Sequence, residues 1–314
     1  VTPRTIGHDK PIALIGHTAA QVGKELFFFG GRDIHRPYNA VWVLDAIEHE
    51  WKKPSPMGTS PPPCSKHTMV AQGTRLYVAL GEISQDRVFV YDTTKHAWAQ
   101  AEVTPDTPAP PLTRASCALV GNELIVFGGV HEESRETVNT LALLDMPTMS
   151  WHVVDAGGWV PSSRVGNALC ALDGRLYLFG GLDSSGPTQT FANYEASVMV
   201  WEAPQLEGAA PGARVGHTMV SASNGQVYVY GGASGGRPLS EIFVLDLSRS
   251  FWERAVVVDP RAEAPPPKVG HACVFVKVGQ MGQLAKDNHH YVGDKLLCFG
   301  GGDACLSLPV FDSR

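Results

Sequence analysis

Residues 26–31 read LFFFGG, three phenylalanines stopped by two glycines. One apolar run of this length fits a buried strand or a buried helix fragment equally well. The phrase recurs as LYVALG (76–81), LIVFGG (124–129), LYLFGG (176–181), VYVYGG (227–232) and LLCFGG (296–301). Its closing glycines, Gly31, Gly81, Gly129, Gly181, Gly232 and Gly301, are separated by 50, 48, 52, 51 and 69 residues. A period near fifty residues is the signature of a repeat architecture.

Around each phrase stands a unit with four parts. A short strand opens near a Gly-His-Thr motif, at Gly16–His17–Thr18, Lys66–His67–Thr68, Gly216–His217–Thr218 and Gly270–His271–Ala272, with Ser116 and Asn167 at the histidine place in units three and four. After a turn comes the apolar run and its glycines. A variable loop follows, then an alternating strand with a terminal Asp: VWVLD (41–45), VFVYD (88–92), LALLD (141–145), FVLD (243–246) and PVFD (309–312). Six residues past that Asp stands a Trp in four units, at Trp51, Trp98, Trp151 and Trp252. Unit four reads VMVWEAPQLEG (198–208), which puts Trp201 at the Asp place with no Trp six residues later. Unit six carries about sixteen extra residues over 277–293 and ends at Asp312–Ser313–Arg314.

A run with no polar alternation is what a strand shows when both of its faces are buried. A four-stranded blade stacked between two others meets that condition, and a closed ring of blades leaves few exposed edges. With its Gly-Gly doublet, hydrophobic–Asp element and Trp six residues on, the chain resembles the kelch-repeat family over about residues 11–314. The resemblance implies an all-β, six-bladed β-propeller of four-stranded antiparallel blades, at about 11–56, 62–104, 112–155, 162–206, 212–258 and 266–314. Unit six lacks a fourth strand. Residues about 2–7, TPRTIG, are therefore expected to close the ring as the outer strand of the last blade.

The 314 residues are 44% hydrophobic and 18% charged, a globular composition read as one domain. The net charge of −6 argues against a general nucleic-acid binder. No apolar run reaches bilayer length, and no membrane partner is expected. None of the six cysteines, Cys64, Cys117, Cys170, Cys273, Cys298 and Cys305, belongs to a C-x-x-C pair. Four lie in apolar runs. All six are expected to be reduced, and the chain to be a cytoplasmic or nuclear, monomeric domain.

Proline-rich stretches fall between units and read as inter-blade links. Because the four strands alternate in direction, these links share one face with the loops that follow the glycines. Variable loops on a rigid frame are where binding sites usually lie. Arg164, Arg214 and Lys268 stand three residues before the histidine place, and Lys66 and Arg114 fall near it, out of register by one or two residues. They would form a cationic ring at the channel mouth for an acidic or phosphorylated segment of a protein or peptide partner. Loop 32–40 adds Arg32, His35, Arg36 and Tyr38. The repeated histidines read as structural, one per blade, and DNHH (287–290) as a weak metal candidate. No catalytic residue, metal ligand or cofactor is expected. Most kelch propellers bind a partner protein as a scaffold or recruitment module. The alternative is a sugar-processing or oxidase-like enzyme with its site at the channel mouth, but the oxidases need a cross-linked Tyr–Cys pair with Tyr and His ligands, and no such set is visible. A convergent carboxylate, His and Tyr cluster there would favour the enzyme.

Overall fold

The computed structural model describes residues 4–5, 11–12, 14–81, 83, 87–104, 107–255, 265–276, 295–300 and 306–309. The insertion 277–293, the DNHH stretch, Cys305 and Asp312 lie outside them. The described residues are all β, arranged as a β-propeller with five complete blades. Each blade runs from an inner strand at the channel to an outer strand at the rim. The inner strands are Thr18–Val22, Thr68–Gln72, Ser116–Val120, Ala168–Leu172 and Thr218–Ser221. The glycine-terminated runs are the second strands, and pair antiparallel with the inner and third strands on either side. A further sheet of three strands, Ala272–Val276, Lys295–Phe299 and Leu306–Pro309, follows the fifth blade. Its third strand falls at 306–309 rather than at the sequence-predicted 309–312.

The apolar core sits between sheets. One cluster joins Phe27 and Phe29 of blade one to Val78, Tyr91 and Trp98 of blade two. The outer-strand Trp is the receiving surface. Phe29 meets Trp98 at 4.9 Å between ring centroids, Phe127 meets Trp201 at 5.1 Å and Phe179 meets Trp252 at 5.8 Å. Phe299 of the three-stranded sheet meets Trp51 of blade one in the same way, at 5.8 Å. The strand Ala272–Val276 touches the inner strands of both blade five and blade one.

The structure corrects three expectations. Residues 4–5 do not complete the last sheet. They pair parallel with Glu50–Trp51 of blade one. Met57–Gly58, Gly157–Gly158 and Glu207–Gly208 lie in the same way along the outer strands of blades two, four and five, so residues 4–5 occupy the place of a link leading into the next blade. Blade four is regular. Its third strand is Phe191–Glu195 and its outer strand Val200–Glu202, so Glu195 takes the Asp place and Trp201 stands six residues on, at the Trp place. Cys273 and Cys298, directly opposed across the inner pair of the last sheet with Cα atoms 4.2 Å apart, form a disulfide, whereas Cys117 and Cys170 are free.

One further feature of the repeat is legible only in three dimensions. The first glycine of each doublet lies against the entry of the next blade. A Cβ on Gly30 would come within 2.7 Å of His67 Cε1, on Gly180 within 2.6 Å of His217 Cε1, and on Gly231 within 2.8 Å of His271 Cε1. Gly300 of the three-stranded sheet faces His17 and the Leu14 carbonyl of blade one. Between blades two and three both members change: Leu80 replaces the glycine and Ala115 stands where the ring would be. The inner strand of blade three starts at Ser116, so Ala115, and not Ser116, is the histidine equivalent. Leu80 is buried, and Ala115 packs within the same cluster. The large and small residues have exchanged sides of one contact.

That exchange predicts coupling. Leu80→Gly opens a cavity, and Ala115→His drives a ring into Leu80; each is expected to cost about 1–3 kcal/mol. The double variant rebuilds the Gly–His pair. A double-mutant cycle in denaturant should show at least ~1 kcal/mol of favourable coupling. Additive losses would refute the pairing.

Candidate upper-face binding site

Each sheet enters the ring through four residues ahead of its inner strand. The earliest are Leu14, Cys64, Leu112, Arg164, Arg214 and Lys268 in chain order. Their carbonyls receive the second glycine of the preceding doublet: Gly31 N–H donates to Cys64 O at 2.9 Å, Gly129 to Arg164 O at 2.9 Å, Gly181 to Arg214 O at 2.9 Å and Gly232 to Lys268 O at 2.8 Å. Backbone amides in an apolar seam need such partners.

The three cations at this position turn inward. Arg164 donates through Nη1 to Gly180 O at 3.0 Å and through Nε to Ser162 O at 2.9 Å. Arg214 reaches Gly231 O at 3.0 Å and Gly212 O at 3.0 Å, and pairs with Glu241 at 3.3 Å. Lys268 Nζ donates to Gly300 O at 2.6 Å. Their relative exposures are 1%, 1% and 3%. Each thus holds the first-glycine carbonyl of its own sheet, beneath the face. Burial lowers the pKa of both arginines.

Lys66 and Arg114 are in register with one another. Both stand immediately before the His-equivalent residue, where the other entries carry Gly16, Gly166, Gly216 and Gly270. At this position the backbone is left-handed throughout, with φ of +60° at Lys66 and +58° at Arg114. Non-glycine residues are disfavoured there. The position forms a hydrogen-bonded collar at the mouth: Lys66 N–H donates to Gly16 O at 3.0 Å, Gly216 to Gly166 O at 2.8 Å and Gly270 to Gly216 O at 2.9 Å. Arg114 is exposed and Lys66 half-buried.

The loop 32–40 is prebuilt. Asp33 Oδ1 accepts from the His35 and Arg36 amides, each at 2.7 Å, and Tyr38 donates its hydroxyl to Asp33 Oδ2 at 2.7 Å. The Tyr38 hydroxyl, and then those amides, hold the Asp33 carboxyl down at about 2. The Arg36 guanidinium lies 5.1 Å from the Tyr38 ring centre. Arg32 bridges Ile15 with two backbone bonds of 3.0 Å, which fixes the loop base to the collar. His35 and Arg36 are exposed, and Ile34 at the tip is 90% exposed.

The buried histidines knit the entries together. Thr18 Oγ1 lies 2.7 Å from His67 Nε2, and Thr218 Oγ1 lies 3.0 Å from His271 Nε2, each pair spanning two neighbouring sheets. Between blades three and four, Asn167 Nδ2 donates to Ser116 Oγ in the same role. His217 has no such partner, because its neighbour is Ala168, and both of its ring nitrogens are buried without a protein hydrogen bond. Burial depresses His67, His217 and His271 to about 3. Among the described residues, no three His, Cys, Asp or Glu side chains come together in a way that could hold a metal ion.

Two outcomes follow from the histidines. Their folded pKa values lie below the unfolded value of about 6.5, so the unfolded chain binds the extra protons. Stability is then full above pH 6.5 and falls as the pH drops toward 3, by up to about 4 kcal/mol per unit for three imidazoles acting together. The melting temperature should fall steeply between pH 6.5 and 5; a flat profile would contradict this burial. Ala168→Ser should supply His217 with its missing hydroxyl and raise stability by about 1 kcal/mol, or roughly 2 °C in a melt. No gain would mean that the ring is satisfied in another way.

The KLHDC2/KLHL20/DRC7 Kelch-repeats domain model matches residues 2–129 and 79–281. Acyl-CoA-binding domain-containing protein 4 of Arabidopsis thaliana is 28% identical over 290 residues, covering 87% of this chain and 42% of that protein. Host cell factor 2 of Homo sapiens is 25% identical, covering 85% of the chain and 38% of its own length. Rab9 effector protein with kelch motifs of Bos taurus is 28% identical over 195 residues, or 57% of the chain and 51% of that protein. The chain spans less than half the length of the first two.

Proposed function

The chain belongs to the kelch-repeat family, and on that premise we propose that its upper face binds a protein or peptide partner through an acidic or phosphorylated segment. Similarity to host cell factor 2 and to a Rab9 effector with kelch motifs supports an interaction role. The observation that carries the choice of site is the collar. Two consecutive blades put a long cation where every other entry has glycine, and each holds a left-handed backbone conformation that costs a non-glycine residue about 1 kcal/mol. Such strain, at a position that elsewhere is glycine, motivates the choice of site. Lys66 and Arg114 flank the junction whose Gly–His contact is replaced by Leu80–Ala115.

In this reading Arg32, His35, Arg36 and Tyr38 extend the contact toward the rim of blade one. Arg164, Arg214 and Lys268 form its frame from below, because their donors are committed to carbonyls. We take the ring to close at six positions, with the three-stranded sheet meeting blade one directly through Gly300 and Phe299 and without the amino-terminal strand.

A fluorescent octaglutamate peptide provides the test. It should bind the native protein, more weakly as salt is added. Lys66→Glu with Arg114→Glu should weaken it at least tenfold, about 1.4 kcal/mol, whereas Lys95→Glu on the opposite face should not. Equal binding by a folded double variant would sink the assignment.

A further inference from the structure

Three of the links between blades share one design: a short parallel pairing along the next outer strand leads to a buried proline three residues before the entry position, at Pro61, Pro161 and Pro211. The residue before it is Ser60, Val160 and Ala210 respectively. Two backbone bonds pin the later links. Trp159 N–H donates to Trp201 O at 2.8 Å and Val160 N–H to Gly158 O at 3.2 Å; Ala209 N–H donates to Trp252 O at 2.9 Å and Ala210 N–H to Gly208 O at 3.2 Å. Thr59 and Ser60 make neither bond, although their neighbours on both sides are described. Residues 57–60 and 62–63 are exposed in sequence.

From this we propose that Ser60 is a phosphorylation site for a proline-directed protein kinase. A residue before proline is held extended, the conformation in which a kinase groove takes its substrate. Proline also offers no amide proton at the following position, the feature such an enzyme selects. The Ser60 hydroxyl oxygen attacks the γ-phosphorus of Mg-ATP. The bond from that phosphorus to the bridging oxygen of ADP breaks, ADP leaves, and the hydroxyl proton passes to the kinase's base. Among the described residues the other Ser/Thr–Pro positions are less suited: Thr104 donates its amide to Met149 O at 3.0 Å, and the amide of Thr107 is bonded back to Thr104 O at 3.1 Å. Ser55 lies two residues before Met57, whose amide donates to His96 O at 3.0 Å.

The site has a consequence for the upper face, which rests on the function proposed above. The Pro61 carbonyl accepts from Asn39 Nδ2 at 3.0 Å, and Asn39 follows Tyr38, the ring that carries Arg36. A phosphate on Ser60 would add about −1.5 to −2 charges at the rim of a cationic surface, opposing an acidic partner.

The experiment uses the folded chain, Mg-ATP and a purified proline-directed serine/threonine kinase, with the phosphate placed by mass spectrometry. Ser60 should be the major site, and Ser60→Ala should abolish it. Phosphate on Ser55, Thr104 or Thr107 with none on Ser60, or on Ser60 only after heat denaturation, would overturn the site. The phosphorylated protein should bind octaglutamate at least threefold more weakly. Unchanged binding, where the unmodified protein does bind it, would overturn the consequence for the face. The mapping needs no peptide, so the modification site stands or falls apart from the binding reading.

Discussion

The contact on which the ring depends is the one between a glycine doublet and the entry of the next sheet. Its second glycine donates an amide to a carbonyl three residues before the His-equivalent place. Its first lies against that carbonyl and an imidazole, with no room for a side chain. The imidazole in turn meets a hydroxyl on the preceding inner strand at two junctions. Backbone hydrogen bonding, side-chain packing and polar satisfaction thus converge on a few atoms at each seam. A blade cannot bury its own faces, so these seams and the Phe–Trp contacts outside them carry the fold.

Much of this was legible in the sequence. The doublets and their spacing gave the repeat, and the fixed interval from Asp to Trp gave the turn into the outer strand. The Asp builds that turn: Asp45, Asp92 and Asp246 each accept amides from the residues that follow. Blade four was misread because Glu195 substitutes for Asp, while VMVW looks more like a strand than FANYE does. Glu195 keeps the role of a carboxylate at the strand end, meeting Arg175 at 2.7 Å. Charge and turn position, not residue identity, were the conserved chemistry to look for within the repeat.

The cations show the opposite limit. Sequence spacing brought Arg164, Arg214 and Lys268 to the mouth, but spacing says nothing about which way a side chain turns. Glycine carbonyls left over at the seam capture them, since buried acceptors need donors. Lys66 and Arg114 read in the sequence as out-of-register members of the same ring, yet their shift is the signal. A long side chain on a position that elsewhere is glycine marks a departure from the repeat; aligning on the histidine exposes it at Lys66, and aligning on the inner strand exposes it at Arg114. The closing strand failed for a related reason: residues 4–5 fit the link place that blades two, four and five also fill before their inner strands.

The seam itself is tested most directly by adding one carbon to it. Gly180 and Gly174 both hold left-handed backbone, at φ of +65° and +78°, so alanine strains each alike. A Cβ at 174 meets nothing within 4 Å, whereas at 180 it would approach His217 Cε1 to 2.6 Å and Arg214 O to 2.8 Å. Equilibrium unfolding in denaturant should show Gly180→Ala less stable than Gly174→Ala by at least ~2 kcal/mol. Equal losses in the two variants would contradict the account.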